Sequence, residues 1–317
     1  MRVLVTGADG FVGRHLVRHL LRAGDEVAAG CRPGGRQVDW SVGAPVGGKV
    51  EVFPLELADD ASVRSALAWS PEAVVHLAAV ASVRQAQADP GAAWDVNASG
   101  TARLVAAAAE LRLAGKGDPM VLVVSSGEVY GTGVGAARQE TDALQPVSAY
   151  AASKVGAETA ALEAWRRAGL RTVVARPFGH TGPGQAPDYV VPSWVVRIRA
   201  ARASGAGQVQ VGNLAPVRDL LDVRDVVAAY RLLLRDGAPG EAYNVARGEG
   251  LALAAVFRRL AELMGVAVEP VADPALVRRT DIPHLVGDST KLRRATGWAP
   301  AISLEQTLQG LVDAEAD

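Results

Sequence analysis

Hydrophobic positions in the first two thirds of the chain form two alternating kinds of segment. Alanine-rich segments of helical periodicity, the first at 11–22, separate short apolar runs that are rich in β-branched residues. This alternation predicts an α/β fold in which a parallel sheet is covered by helices on both faces. The runs that we assign to strands are 3–6, 26–30, 50–55, 74–78, 120–125 and 171–175.

The pattern changes after Arg176. Glycine and proline cluster at 179–192, and the elements beyond are shorter and less regular, which indicates a second, smaller lobe of mixed α/β structure. A helix and a strand within 220–246 are expected to return to the large sheet. We therefore assign 1–177 and 216–245 to the large domain, and 178–215 and 246–317 to the smaller lobe.

Composition and charge exclude several classes of function. The chain has 317 residues, of which 49% are hydrophobic, and can bury a sizeable core. Its net charge of −1 provides no general basic field for nucleic acid or an anionic membrane. No apolar run approaches the roughly 18 residues that a membrane helix needs.

The single Cys31 cannot form an internal disulfide, and the first residues lack signal-peptide features, so a cytoplasmic location is expected. No metal is expected, because His15, His180 and His284 lack ligand spacing.

Three glycines follow the first predicted strand and precede the first predicted helix. Gly7, Gly10 and Gly13 have the spacing Gly-x-x-Gly-x-x-Gly. They permit a tight turn, close approach of the backbone to a pyrophosphate, and close packing of helix against strand. Backbone N–H groups at the helix start, including those of Phe11 and Val12, favour an anion. The sequence therefore predicts a doubly wound Rossmann fold that binds a nicotinamide dinucleotide.

The second predicted strand ends without the carboxylate that usually binds the ribose hydroxyls of NAD. Arg32, helped by Arg36, instead favours the 2′-phosphate of NADP, because a guanidinium pairs bidentately with phosphate. If both are ordinary surface arginines, NAD is possible. Glu56 and Leu57 follow the third strand, where an acidic residue can contact adenine, and Ala78 ends the fourth. We assign these three to the cofactor site as well.

A phenol and an ammonium lie one helical turn apart at Tyr150 and Lys154. The same spacing also fits two exposed residues on the surface of an amphipathic helix. The alternative is that the pair takes part in proton transfer. Shifting a tyrosine from its reference pKa of about 10 to about 7 needs roughly 4 kcal/mol, part of which a neighbouring cation supplies. Lys154 is also expected to hydrogen-bond the nicotinamide ribose. Ser126 follows the buried run 120–125 and can hydrogen-bond the oxygen that Tyr150 protonates, and Glu128 is a candidate base.

Five motifs occur in order over the first 180 residues. They are Thr-Gly-x-x-Gly-x-x-Gly from Thr6, His-Leu-Ala-Ala from His76, Asn-x-x-Gly-Thr from Asn97, Ser-Ser-x-Glu-Val-Tyr-Gly from Ser125 and Tyr-x-x-x-Lys from Tyr150. Together they resemble the extended short-chain dehydrogenases/reductases, the family of UDP-galactose 4-epimerase and the nucleotide-sugar 4,6-dehydratases. The resemblance implies a nucleotide-sugar substrate, catalytic roles for Ser126, Tyr150 and Lys154, a structural role for Asn97, and a homodimer.

Motifs in the last third narrow this resemblance. The segments 176–185, 211–214, 218–219, 222–225 and 281–283 are similar to those of members that reduce the C4 ketone of a GDP-4-keto-6-deoxyhexose. The similarity implies conversion of GDP-4-keto-6-deoxy-D-mannose to GDP-D-rhamnose. Gly179 departs from the pattern, because such members carry Asn there. The substrate site implied by the resemblance comprises Ser82, Ser126, Tyr150, Gly179, Arg218 and Arg279.

Residue 127 bears on the choice of reaction. Dehydration needs a base, for which Glu128 is available, and an acid, which several dehydratases carry at the position of Gly127. Glycine has no side chain to donate a proton, so reduction is favoured over dehydration. Epimerisation at C4 stays open as an alternative. A dinucleotide sensor without turnover is disfavoured, because both Tyr150 and Lys154 are present.

Overall fold

The computed structural model describes residues 1–40, 49–133, 135–277 and 281–314. The strands are β1 Arg2–Thr6, β2 Glu26–Cys31, β3 Val50–Pro54, β4 Ala73–His76, β5 Met120–Val124, β6 Thr172–Pro177, β7 Gly179–Thr181, β8 Gln208–Val211, β9 Val217–Asp222, β10 Ala242–Val245, β11 Gly250–Ala252, β12 Glu269–Ala272 and β13 His284–Leu285. Each of the six strands predicted in the first two thirds is present, with ends that differ by at most two residues.

Helices connect these strands. They are α1 Phe11–Arg22, α2 Asp60–Leu67, α3 Val83–Ala88, α4 Pro90–Trp94, α5 Gly100–Leu113, α6 Ala149–Ala168, α7 Val190–Ser204, α8 Val223–Asp236, α9 Leu253–Leu263, α10 Thr290–Thr296 and α11 Leu304–Asp313. A π-helical turn, Asp95–Ser99, joins α4 to α5, and a 3₁₀ turn, Gly127–Tyr130, follows β5. Within the described ranges, no helix is both long and apolar enough to cross a membrane.

The large sheet has seven strands in the order β10-β6-β5-β4-β1-β2-β3, and all its pairings are parallel. Apolar side chains cover both faces of it. One face packs on α1 and α8, and the other packs on α2, α5 and α6. The predicted Rossmann-like α/β fold is confirmed. The strand order reverses between β1 and β4, so a crevice opens there outside their carboxyl ends, where open α/β sheets bind ligands.

Smaller sheets lie after β6. Strands β11, β9 and β13 form one with β7 beside β9, and β8 pairs with β12. Their apolar faces and helices α7, α9 and α11 share a separate hydrophobic core. The predicted return to the large sheet is made by α8 and β10, whereas β9, which precedes them, pairs in the smaller sheet. The division of the chain into two domains stays a proposal.

Candidate active site

The three glycines after β1 form a cradle that has no room for side chains at two of its positions. A Cβ on Gly13 would lie 2.3 Å from the carbonyl oxygen of Gly7, and a Cβ on Gly7 would lie 2.8 Å from the backbone nitrogen of Ala78. Gly7 also has a φ of +67°, which glycine adopts readily. Gly10 differs, because a Cβ there would meet only Gly7 O, at 3.2 Å. Gly10 therefore faces open space.

Helix α1 begins at this open side. Gly10 occupies its N-cap position with extended backbone, no side chain caps the helix, and its first turn has no acidic residue. The backbone N–H groups of Phe11, Val12 and Gly13 therefore have no acceptor within the helix. They lie at its N-terminus, where the helix dipole is positive. These features, with the close packing of Gly7 and Gly13, fit the diphosphate of a dinucleotide.

The start of α1 contacts β7 and the turn that follows it. The Phe11 ring stacks on His180 at 6.4 Å and meets His15 edge-on at 5.4 Å. His15 Nε2–H donates to Pro183 O at 2.9 Å, and His180 Nδ1–H donates to Phe178 O at 2.9 Å. Burial lowers the pKa of both histidines, so they are neutral near pH 7. These contacts were not predicted from the sequence, because no local pattern relates Phe11 to residue 180.

The end of β2 carries the arginines predicted to select NADP. Arg32 is exposed and opens a turn that the Gly35 N–H closes on the Arg32 carbonyl at 2.9 Å. The Arg36 N–H then donates to Asp9 Oδ2 at 3.1 Å, which ties this turn to the glycine loop. Two guanidinium groups therefore follow the strand end where the ribose of a dinucleotide lies in this fold. The assignment to a 2′-phosphate stays a prediction.

The remaining cofactor candidates lie at the same edge of the sheet. The Glu56 N–H donates to Ser62 Oγ, and the Glu56 carboxylate accepts from the Ala58 N–H at 3.2 Å, so hydrogen bonds close the turn after β3. Leu57 is buried. The Ala78 N–H donates to Thr6 Oγ1 at 3.1 Å, which places Ala78 directly against Gly7.

Tyr150, Lys154 and Ser126 come together at the carboxyl end of β5. Lys154 is 5% exposed, its Nζ donates to Val124 O at 2.9 Å, and Nζ lies 6.0 Å from the Tyr150 ring centroid. The Ser126 side chain lies near enough to the Tyr150 phenol to lower its pKa, and it accepts from the Glu128 N–H at 3.1 Å. An ammonium has three donors, so Lys154 keeps donors for a ribose after its bond to Val124.

Electrostatics set the protonation states of this group. Burial raises the pKa of Tyr150 above its usual value, and the charge of Glu128 raises it further, whereas the Ser126 hydrogen bond lowers it. Burial lowers the pKa of Lys154 to about 8, opposed by Glu158. At neutral pH Tyr150 is therefore a protonated phenol beside a cationic Lys154. Tyr230 on α8 is fully buried nearby, and its hydroxyl has no hydrogen-bond partner among the described residues.

A buried chain of hydrogen bonds connects β1 to α6, the helix that carries Tyr150 and Lys154. Thr101 Oγ1 donates to Asn97 O, so His76 Nε2–H must donate to Thr101 at 3.0 Å, and Thr6 then donates to His76 Nδ1 at 2.8 Å. Asn97 Nδ2 donates to Ser153 Oγ at 2.9 Å, and Ser153 donates to the Tyr150 carbonyl. Burial, with the nearby Lys154 charge, lowers the pKa of His76 to about 3, which keeps it neutral.

The predicted substrate residues have varied surroundings. Ser82 caps α3, because its Oγ accepts the Gln85 N–H at 3.3 Å. Gly179 begins β7. Arg218 Nη2 donates to Asp281 Oδ1 at 2.6 Å and Nη1 donates to Ile282 O at 2.6 Å, so this arginine pins the 281–283 segment. Arg279 lies outside the described residues.

Phe178 covers residue 127. A Cβ on Gly127 would lie 3.0 to 3.1 Å from three atoms of the Phe178 ring, which is 2% exposed. A Cβ on Gly287 would lie 2.4 Å from Cε2 of the same ring. The ring therefore packs against both glycines, and a side chain at 127 would require it to shift.

Comparison with known proteins places this site in a family. The family model described as GDP-mannose 4,6 dehydratase matches residues 4–311. The chain belongs to this family of extended short-chain dehydrogenases/reductases.

Relatives within the family differ in reaction. GDP-6-deoxy-D-mannose reductase of Pseudomonas aeruginosa is 34% identical over 316 residues, which are 98% of this chain and 96% of that protein. The structure of RMD from the same organism complexed with NADPH has a TM-score of 0.82 and 33% identity, covering 98% of this chain and 97% of that one. The Thermus thermophilus UDP-glucose 4-epimerase complex with NAD has a TM-score of 0.85 and 32% identity, covering 99% and 98%.

Proposed function

We propose that this protein reduces the C4 ketone of a GDP-4-keto-6-deoxyhexose with NADPH, converting GDP-4-keto-6-deoxy-D-mannose to GDP-D-rhamnose. The similarity to a GDP-6-deoxy-D-mannose reductase over almost the whole chain supports the substrate. The likeness to an NADPH complex, together with the exposed Arg32 after β2, supports NADP, and NAD bound by a similar epimerase leaves NADH possible. We further propose a homodimer, as the family resemblance implies, and a cytoplasmic location, which fits a chain with a single cysteine.

When bound, the reduced nicotinamide supplies hydride to the ketone carbon. Tyr150 acts as the general acid, because its raised pKa keeps the phenol protonated until negative charge develops on the ketone oxygen. Ser126 donates a hydrogen bond to the same oxygen and stabilises that charge. Lys154 favours the phenolate that remains, since its ammonium lies beside the ring, and it orients the nicotinamide ribose.

The glycine at position 127 is the observation that favours reduction over dehydration. Dehydration requires an acid that protonates the departing hydroxyl, and glycine has no side chain to provide one. The Phe178 ring lies 3.0 to 3.1 Å from the position of a Cβ at residue 127, so a side chain there would need the ring to give by a few tenths of an ångström. Glu128 is a carboxylate whose charge acts on the Tyr150 phenol. Reduction needs one acid, which Tyr150 provides.

We assign Ser82, Gly179, Arg218 and Arg279 to the substrate site on the family resemblance. For Arg218 the described contacts add a mechanism, because it holds the 281–283 segment through Asp281 and Ile282. Its replacement would therefore alter the shape of the substrate lobe in addition to any direct contact.

The test offers GDP-4-keto-6-deoxy-D-mannose with NADPH or NADH and follows loss of the reduced cofactor, with the product identified by NMR. Stoichiometric consumption of NADPH with release of GDP-D-rhamnose is expected. Tyr150→Phe is the matched control, and GDP-mannose and UDP-glucose are the competitor substrates. Absence of cofactor oxidation by a folded protein would contradict the proposal.

Epimerisation is the second candidate, because an epimerase of similar fold matches this chain end to end. An epimerase returns the hydride to its substrate and retains its cofactor. Purified protein that holds stoichiometric NAD and interconverts UDP-glucose and UDP-galactose without net oxidation would favour it.

A further inference from the structure

A buried ion pair lies directly behind the catalytic residues. Glu158 is on α6, one helical turn after Lys154, and is 2% exposed, whereas Arg176 is on β6 and is 5% exposed. Arg176 Nη2 donates to Glu158 Oε2 at 2.7 Å, and Arg176 Nε donates to Oε1 at 3.0 Å. The two groups therefore form a bidentate pair with almost no contact with water.

The pair is anchored on both sides. Ser125 Oγ donates to Glu158 Oε1 at 2.5 Å, immediately before Ser126. Arg176 Nη1 donates to Tyr130 Oη at 2.9 Å, and Tyr130 donates to Asn244 Oδ1 at 2.7 Å. The carboxylate thus has a fixed place between the end of β5 and the helix that carries Tyr150 and Lys154.

Stability alone does not explain such a pair. Desolvation of two charges offsets most of their attraction, and a buried ion pair can often be exchanged for apolar residues without loss of stability. The position of Glu158 provides another explanation, since an opposite charge one turn away favours the charged form of a buried ammonium.

We propose that Glu158 is a positioning residue that keeps Lys154 cationic and fixes the Ser125–Ser126 strand end, while Arg176 holds the carboxylate in place. This inference deepens the proposed reduction and assigns a role to a group that does not itself touch substrate or cofactor.

The charged groups around Lys154 support this assignment. Glu158 is the carboxylate whose charge raises the pKa of Lys154 against burial in the described part of the chain. From β4, His76 faces Lys154 but is neutral, since its pKa is about 3. Tyr150, on the same helix, is a protonated phenol at neutral pH. Glu128 acts on Tyr150 from the 3₁₀ turn after β5.

The direct test measures the titration of Lys154 itself. The sequence has four lysines, Lys49, Lys116, Lys154 and Lys291, so ¹³Cε-lysine NMR of the protein resolves each, with Lys154→Arg as the assignment variant. Lys154 of the unsubstituted protein is expected to titrate near pH 8. In Glu158→Gln this midpoint is expected to fall by about one pH unit.

Glu163→Gln is the matched control. Glu163 lies on the same helix and pairs with Arg167, but both side chains are about half exposed. Its replacement should leave the Lys154 midpoint unchanged. If Glu158→Gln does not fold, the double variant Glu158→Gln/Arg176→Met removes the unpaired buried cation and should still lower the Lys154 midpoint. An unchanged midpoint in a folded Glu158 variant would refute the proposal.

Kinetics give the second readout. In Glu158→Gln the alkaline limb of the kcat/KM profile should move to lower pH together with the NMR midpoint, whereas a purely structural defect would reduce the rate at all pH values alike. The kinetic arm rests on the proposed reduction, and the NMR arm does not. A shifted NMR midpoint in a protein without reductase activity would therefore reject the function and retain the role of Glu158.

Discussion

Substitution of single glycines in the loop after β1 separates the demands of folding from those of cofactor binding. In Gly13→Ala the new Cβ would lie 2.3 Å from Gly7 O, 2.6 Å from Ala8 O and 2.7 Å from Ala8 Cα. Because all three atoms are backbone, no side chain can rotate away, and α1 must move off β1. Overpacking of this kind costs about 3 kcal/mol, which corresponds to a fall in Tm of roughly 5 °C for a chain of this size.

Gly10→Ala is the matched comparison. Its Cβ meets only Gly7 O, at 3.2 Å, and its φ of −70° suits alanine. Loss of glycine flexibility in the unfolded chain offsets the small contact strain, so the free energy of unfolding should change by less than about 1 kcal/mol. The methyl group would however occupy the space in front of the α1 N-terminus, and NADPH affinity should fall about tenfold or more.

Thermal unfolding without ligand and fluorescence titration with NADPH measure the two effects. Gly13→Ala should lose both stability and affinity, whereas Gly10→Ala should lose affinity alone. A Gly13→Ala protein with the same Tm as the unsubstituted protein would show that stability does not depend on the close packing of α1 on β1. A Gly10→Ala protein with unchanged NADPH affinity would show that the diphosphate does not bind at this helix end.

Three further outcomes are expected. Tyr150→Phe should lower kcat for reduction by about 10²-fold or more while NADPH affinity stays within about threefold, because the phenol is an acid and not a cofactor anchor; single-turnover kinetics and fluorescence titration test this. The kcat/KM for reduction should be level below pH 7 and fall above about pH 8, because the Lys154 pKa is lowered to about 8 and its cation is lost as the pH rises; a flat profile to pH 10 would contradict this. Gly127→Asp should lower the free energy of unfolding by about 2 kcal/mol by displacing Phe178 and should not dehydrate GDP-mannose, as chemical denaturation and product NMR would show.

Much of the fold is encoded locally and was predictable for that reason. Strand-forming runs alternate with amphipathic helices, and the α1 bounds follow from a glycine before the helix and apolar positions at helical spacing. The clustering of Tyr150, Lys154 and Ser126 was predictable because these residues are close in sequence or end a strand. Tyr150 and Lys154 share a helix face, and Ser126 follows β5.

Other features depend on contacts between distant segments, and no local pattern reports them. Glu158 and Arg176 meet because α6 packs on the strand that follows it. Phe11 meets His180 because β7 lies beside the start of α1. Arg218 was expected at the substrate, and the structure also gives it an ion pair with Asp281 that only the pairing of β9 with β13 brings about.

Phe178 packs beside two glycines that bear on the proposed reaction and substrate, Gly127 and Gly179. The ring fills the space above Gly127 and Gly287, and one residue later Gly179 begins β7 so close to β9 that a Cβ would lie 2.7 Å from Asp219 O. An Asn at 179 would therefore require a shift of β7 or β9, because the contacted atom belongs to the backbone. A side chain at 127 would require the Phe178 ring to give by a few tenths of an ångström. The absence of side chains at 127 and 179 thus matches the close packing of Phe178 and of β7 on β9 at this side of the site.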